Sequence, residues 1–185
     1  MKQLSLNEIK KIIHICLVTA TNPISCEQIK LAFDSNIEIG LIEKTIFQLA
    51  NEYEEQGIEL LHLSNGYRLR SKIEYQIYLD KIYKNKPPRY SKSIMETLAI
   101  ITYKQPITRS EIEQIRGVGI NNHTLSTLFE AGWIEVIGTK DLPGRPEILA
   151  TTTKFLDDLG ISSIHELPQI TLSKNNVKKD LELID

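Results

Sequence analysis

The phrase Pro23-Ile24-Ser25-Cys26-Glu27-Gln28-Ile29 returns 83 residues later as Pro106-Ile107-Thr108-Arg109-Ser110-Glu111-Ile112. In each copy a hydroxyl residue precedes Gln or Glu by three positions, the capping-box spacing that opens a helix. Each copy also follows an apolar run that reads as the end of an earlier helix, Ile15 to Val18 and Leu98 to Ile101. Helix, short proline-containing turn and capped second helix together open a helix-turn-helix. A chain that makes this opening twice is expected to fold as two copies of one small module.

The length of 185 residues accommodates two modules of about 80 residues each. Net charge is −2, whereas a protein that grips phosphates carries a basic excess. Cys16 and Cys26 fit no zinc-ligand spacing with any histidine and form no CxxC, so they read as reduced thiols of a cytosolic protein. Lys10-Lys11 ahead of Ile12 to Val18 imitates a signal peptide. Glu8 precedes that run, however, His14 interrupts it, and a similar run from Ile94 to Ile101 lies deep inside the chain. No stretch approaches the roughly 20 apolar residues that span a membrane. The expected location is cytoplasmic.

Capping pairs divide the rest of the chain. Ser5 with Glu8 opens helix one, Ser25 with Gln28 helix two, and Ser35 with Glu38 a third that runs to about Gln56 and stops at Gly57. Two apolar stretches flanking Asn65-Gly66 predict a hairpin with those two residues at its turn. Three helices and a hairpin make a winged helix. Ser71 with Glu74 caps a further helix to about Lys84, and Pro87-Pro88 end it. The second copy repeats the plan: Ser93 with Glu96, Thr108 with Glu111, and Asn121 or Asn122 cap its three helices. A strand from Trp133, a wing loop from Thr139 to Pro146 and a return strand from Glu147 follow, and a last helix ends at Gly160. The expected fold is mainly α with small β-hairpin wings (α+β), as two tandem winged-helix domains. Residues 1–84 form the first, 85–92 a linker, 93–168 the second and 169–185 a polar tail.

A winged helix ordinarily places its third helix in the DNA major groove. From Ile39 to Glu55, however, Glu43, Glu52, Glu54 and Glu55 face Lys44 alone, and Gly117 to Trp133 contains no Lys or Arg. An acidic helix and a cation-free helix are poor readers of a polyanion. Lys81, Lys84, Lys86, Arg89 and Lys92 gather around the linker, as a solvated hinge or as a weak phosphate contact. No catalytic constellation assembles, since His14, His62, His123 and His165 lie in unrelated elements, and no cofactor or metal is expected. Apolar surface remains. Ile12, Ile15 and Val18 widen the stripe of the first helix, and Met95, Leu98 and Ile101 do so in the second copy. These six residues are candidate partner-binding positions, with packing inside the chain as the alternative. Arg145, in the rigid turn Pro143-Gly144-Arg145-Pro146, either pairs with a partner carboxylate or simply closes the wing loop.

The run from Glu96 through Thr108 to Ile115-Arg116-Gly117-Val118 resembles the segregation and condensation protein B (ScpB) family. So do Gly132-Trp133-Ile134, Pro143-Gly144-Arg145-Pro146, Thr151-Thr152, Phe155-Leu156 and Glu166-Leu167-Pro168. In the first copy Ala50, Glu52-Tyr53-Glu54, Gly57, Glu59-Leu60 and Gly66-Tyr67-Arg68 are similar to the same family. The resemblance spans roughly residues 5 to 168. Leu149-Ala150 and the turn from Gly119 to His123 depart from the family's commoner residues. The resemblance implies a non-enzymatic homodimer that binds the kleisin ScpA and, through it, the SMC ATPase, in the bacterial condensin that compacts and segregates chromosomes during the cell cycle. DNA contact would be weak or indirect. The competing expectation, from the winged-helix plan alone, is a DNA-binding transcriptional regulator.

Overall fold

The structure, a computed structural model, describes residues 4–33, 37–83 and 89–168. The chain divides into two compact units, Met1–Lys86 with Gly160–Ser163, and Pro87–Leu159 with Ile164–Asp185. The anticipated cap Ser35, linker residues 84–88 and the tail from 169 lie outside the described residues.

The first unit contains α1 (Leu6–Thr19), α2 (Cys26–Lys30), α3 (Ile39–Tyr53), β1 (Ile58–Leu63), β2 (Gly66–Ser71), a 3-10 turn (Ile73–Tyr75) and α4 (Gln76–Ile82). Ser5 begins α1 with a complete capping box. Its N–H donates to Glu8 Oε2 at 2.8 Å, and the Glu8 N–H returns to Ser5 Oγ at 3.3 Å. Ser25 and Gln28 do the same for α2, at 2.9 and 3.2 Å. Each box satisfies two orphan helix donors and contributes about 1 kcal/mol. Ile9, Ile13 and Leu17 fall on one stripe of α1 and meet Ile29, Ile42, Ile46 and Leu49 of α2 and α3 in the first core. Each such buried side chain adds about 2 kcal/mol of transfer free energy.

The hairpin forms as expected, but its turn residues differ from the expectation. Leu63 pairs with Gly66, so the loop is Ser64-Asn65, and among the two expected turn residues only Gly66 takes a positive φ (131°). Gly66 is held there by a distant neighbour. Ile24, in the repeated phrase, forms an antiparallel bridge with Tyr67, its N–H and C=O each bonded to Tyr67 at 2.9 Å. A Cβ on Gly66 would sit 2.7 Å from the Ser25 nitrogen and closer still to the Ile24 carbonyl. Three further corrections concern local signals. Helix α3 ends at Tyr53, and Gly57 lacks the expected left-handed φ; it is instead a bare spot against which the Tyr75 ring packs. Ser71 caps nothing, because β2 continues through it to pair with Ile58. The turn after it begins from Lys72 without a side-chain cap.

The second unit contains α5 (Lys92–Lys104), β3 (Ile107–Thr108), α6 (Arg109–Arg116), α7 (Asn122–Glu130), β4 (Ile134–Thr139), β5 (Glu147–Thr151), α8 (Thr153–Leu159) and a 3-10 turn (Ile164–Glu166). Ser91, not Ser93, accepts the first-turn N–H of α5, from Ile94 at 3.4 Å. Asn121 caps α7 through the His123 N–H at 3.0 Å, and Gly132, at φ 71°, turns the chain from α7 into β4. The sheet order is β3-β5-β4. Its first strand is the repeated phrase again: Ile107 pairs with Leu149 and Thr108 with Ile148. In both units, then, the residues ahead of the capped second helix are stitched to the wing. The α+β plan of winged helices with hairpin wings is the fold observed.

The Thr108 box carries a measurable charge effect. The Thr108 N–H and hydroxyl donate to Glu111 Oε2 at 2.9 and 2.8 Å, while Lys140 of the wing bonds Oε1 at 2.6 Å. The Lys140 bond first, then those from Thr108, hold the Glu111 carboxyl at about 2, against an ordinary 4.5. A depressed folded-state pKa stabilises the fold above the ordinary pKa, and that stabilisation is lost as pH falls from about 4.5 toward 2. The site is partly open to water, which screens the pair. Glu111→Gln is therefore expected to cost about 1 kcal/mol at pH 7. In urea melts followed by fluorescence of Trp133, the deficit shrinks as the pH approaches 2.

Candidate protein interface

The third helices decide what a winged helix grips. On α3 the exposed positions are Gly40, Glu43, Lys44, Phe47, Gln48, Asn51 and Glu52, with Glu52 bonded to Lys10 of α1. Phe47 stands at the centre of this face with 68% of its surface exposed. Beside it runs a groove of about 520 Å³ lined by Ala50, Leu60, His62 and Tyr67, and a second of about 300 Å³ shares Ala50 and Leu60. His62 and Tyr67 stack along the groove, their ring centroids 4.8 Å apart. Burial pushes the Tyr67 hydroxyl above its usual range, so it stays neutral and adds no charge here.

In the second unit the cations nearest α7 are committed internally. Arg109 donates to Glu113 at 3.1 Å, to Asn122 at 2.6 Å and to the Ile120 carbonyl, tying α6 to the start of α7. The Ile120 N–H bonds Glu113 at 2.9 Å, and this bond first, then Arg109, lowers the Glu113 carboxyl. Arg116, nearly buried, reaches Glu96 at 3.3 Å and Ser93 at 3.1 Å. Lys140 holds Glu111, and Lys154 holds Asp158. Paired cations offer little to a phosphate, so neither third helix presents a basic reading face.

The candidate positions from the sequence separate into two groups. Ile15 and Val18 are exposed on the outer side of α1, and Met95 is 40% exposed on α5. Ile12 is half-buried against the first core. Leu98 and Ile101 sit inside the second core, Ile101 with no exposed surface. They cannot touch a partner while the unit is folded, because α6, α7 and β5 all pack on α5. Arg145 is exposed at the wing tip with a left-handed φ of 39°, held by the bond of its own N–H to the Leu142 carbonyl at 2.8 Å. Its guanidinium has no acidic partner among the described residues.

The profile of the segregation and condensation complex subunit ScpB matches residues 11–170. The chain belongs to the ScpB family. A protein named segregation and condensation protein B homolog, from Coxiella burnetii, is 35% identical over 163 residues, 87% of this chain and 78% of its own length. The segregation and condensation protein B of Clostridioides difficile is 39% identical over 166 residues, 88% of this chain and 92% of its own. A crystal structure of a dimer of the ScpB N-terminal domain complexed with ScpA peptide shares 25% identity with a TM-score of 0.39, covering 46% of this chain and 100% of that one.

One surface of this ScpB family member escaped the sequence reading. The turn Ile73–Tyr75 and α4 have no fully buried side chain, although the segment reads Ile73, Tyr75, Ile77, Tyr78, Leu79, Ile82. Ile73 is 87% and Ile82 70% exposed, and Tyr78 and Tyr83 are open as well. The signal was present in the sequence: apolar residues occupy both sides of a helix too short to have two buried faces.

Proposed function

We propose that this chain is a non-enzymatic scaffold subunit of a bacterial SMC–kleisin condensin, acting in chromosome condensation and segregation. As a homodimer it binds the kleisin ScpA, and through ScpA it meets the SMC ATPase. The observation that carries this reading, beside family membership, is the chemistry of the two third helices. One presents Phe47 over an apolar groove among glutamates, and the cations around the other are already paired. Such faces suit a polypeptide. A flexible kleisin segment loses chain entropy on docking, and burial of apolar side chains along its path offsets that loss. Arg145, exposed at the wing tip, meets a carboxylate on that segment, and the first unit carries the dimer contact. ATP chemistry belongs to the SMC partner, so no nucleotide or metal is needed here, and any DNA contact is weak.

Calorimetry with the central region of the cognate kleisin tests this. Binding at micromolar concentration or tighter is expected, and its absence removes the proposal. The competing reading as a DNA-binding regulator predicts affinity for duplex DNA that falls steeply with salt. A flat or absent DNA response beside kleisin binding excludes it.

A further inference from the structure

A ten-residue helical segment with no fully buried side chain is weakly held by its own chain, since isolated helices shorter than about 12–15 residues are marginal in water. We propose that the segment Ile73–Ile82 is the surface through which two copies of this chain join, packed antiparallel about a two-fold axis at Tyr78. This assignment rests on the homodimer reading above and names its contact.

Two observations select a second copy as the occupant. On a helical pitch Tyr75, Tyr78 and Ile82 share one stripe, and Glu74 and Lys81, seven positions apart, lie along the same flank of it. A two-fold axis at Tyr78 sets Glu74 against Lys81 of the partner subunit, and the symmetric pair follows automatically. Parallel packing would instead place glutamate against glutamate, so the charges specify the antiparallel arrangement. Neither Glu74 nor Lys81 has an ion pair of its own among the described residues; Lys81 lies 5.6 Å from the Tyr78 ring centroid. On that stripe Tyr78 and Ile82 are largely exposed, and aromatic and aliphatic anchors of this kind carry most of an interface's binding energy.

The test is the solution mass of the full-length chain by sedimentation across micromolar concentrations, with circular dichroism as a check on folding. The wild type is expected to have the mass of two chains. Tyr78→Glu with Ile82→Glu is expected to yield folded single chains, because neither residue serves the core. Glu74→Lys and Lys81→Glu, taken singly, are each expected to raise the dissociation constant about tenfold, and together to restore it. Restoration cannot arise from misfolding. A wild type that is a single chain throughout overturns both this assignment and the homodimer reading. A dimer indifferent to every variant overturns the assignment alone. So does a dimer that persists while the melting temperature falls, which places the stripe within its own chain, or one that persists while kleisin binding is lost, which gives the stripe to the kleisin.

Discussion

Gly66→Ala is expected to lower the stability of the first unit by about 3–5 kcal/mol, among the largest effects available to a single methyl group in this chain. Two costs add. At φ 131° an L-residue is strained even in open space, and here the space is filled by the backbone of Ile24 and Ser25. Backbone cannot step aside as a side chain does, so either the hairpin shifts or the Ile24–Tyr67 bridge opens and leaves its two hydrogen bonds unmade. The measurement uses two probes. Far-ultraviolet circular dichroism sees both units, whereas fluorescence of Trp133, the chain's single tryptophan, sees the second. In a urea titration the variant displaces the dichroism transition and moves the fluorescence transition far less. Coincident, unshifted curves would show that the wing tolerates a side chain there.

Ile101→Ala supplies the complementary result, with a cost of about 3–4 kcal/mol in the second unit. Ile101 has no exposed surface and lies among Leu98, Ile112, Leu128 and Leu149, so truncation leaves a cavity that rigid neighbours on several elements cannot fill. Here the Trp133 transition moves. That tryptophan packs on Tyr90 and Phe155, at 4.8 and 6.3 Å between centroids, and donates to Asp158 at 2.8 Å, so it registers loss of this core. Variants that remain folded are expected to bind kleisin with unchanged affinity. A loss of affinity without a loss of stability would return Ile101 to the interface.

Ile101 also shows where sequence reasoning stops. A helix with a broad apolar arc must be covered on more than one side, and the pattern says so for α1 and α5 alike. It does not say by what. On α5 the cover is α6, α7 and β5, whereas on α1 the packing of α3 and β2 leaves Ile15 and Val18 in the open. Features decided within three or four residues were legible: the boxes at Ser5, Ser25 and Thr108, the cap at Asn121, the reversal at Gly132. Those decided by remote chain were misread in detail. Gly66 looked like half of an Asn-Gly turn, while its conformation answers to Ile24. Gly57 looked like a helix stop, and its missing side chain makes room for Tyr75. Ser71 and Ser93 had the right spacing to a glutamate, but one was taken up by a strand and the other was pre-empted by Ser91. The charges of the third helices were visible from the start. The pairing of Arg116 and Lys140, and the bond from Arg109 to Asn122, were not, because those partners come from other elements.

The tie between the repeated phrase and the wing has a mechanical meaning. A hairpin joined to its module only by its own ends can swing like a flap. Here the backbone of Ile24 is bonded to Tyr67 in one unit, and Ile107 and Thr108 to β5 in the other, immediately ahead of a capped helix each time. A load applied to either wing is delivered at once to the root of the second helix. Each module thus holds its wing and the root of its second helix as one piece, not as a flap on a hinge.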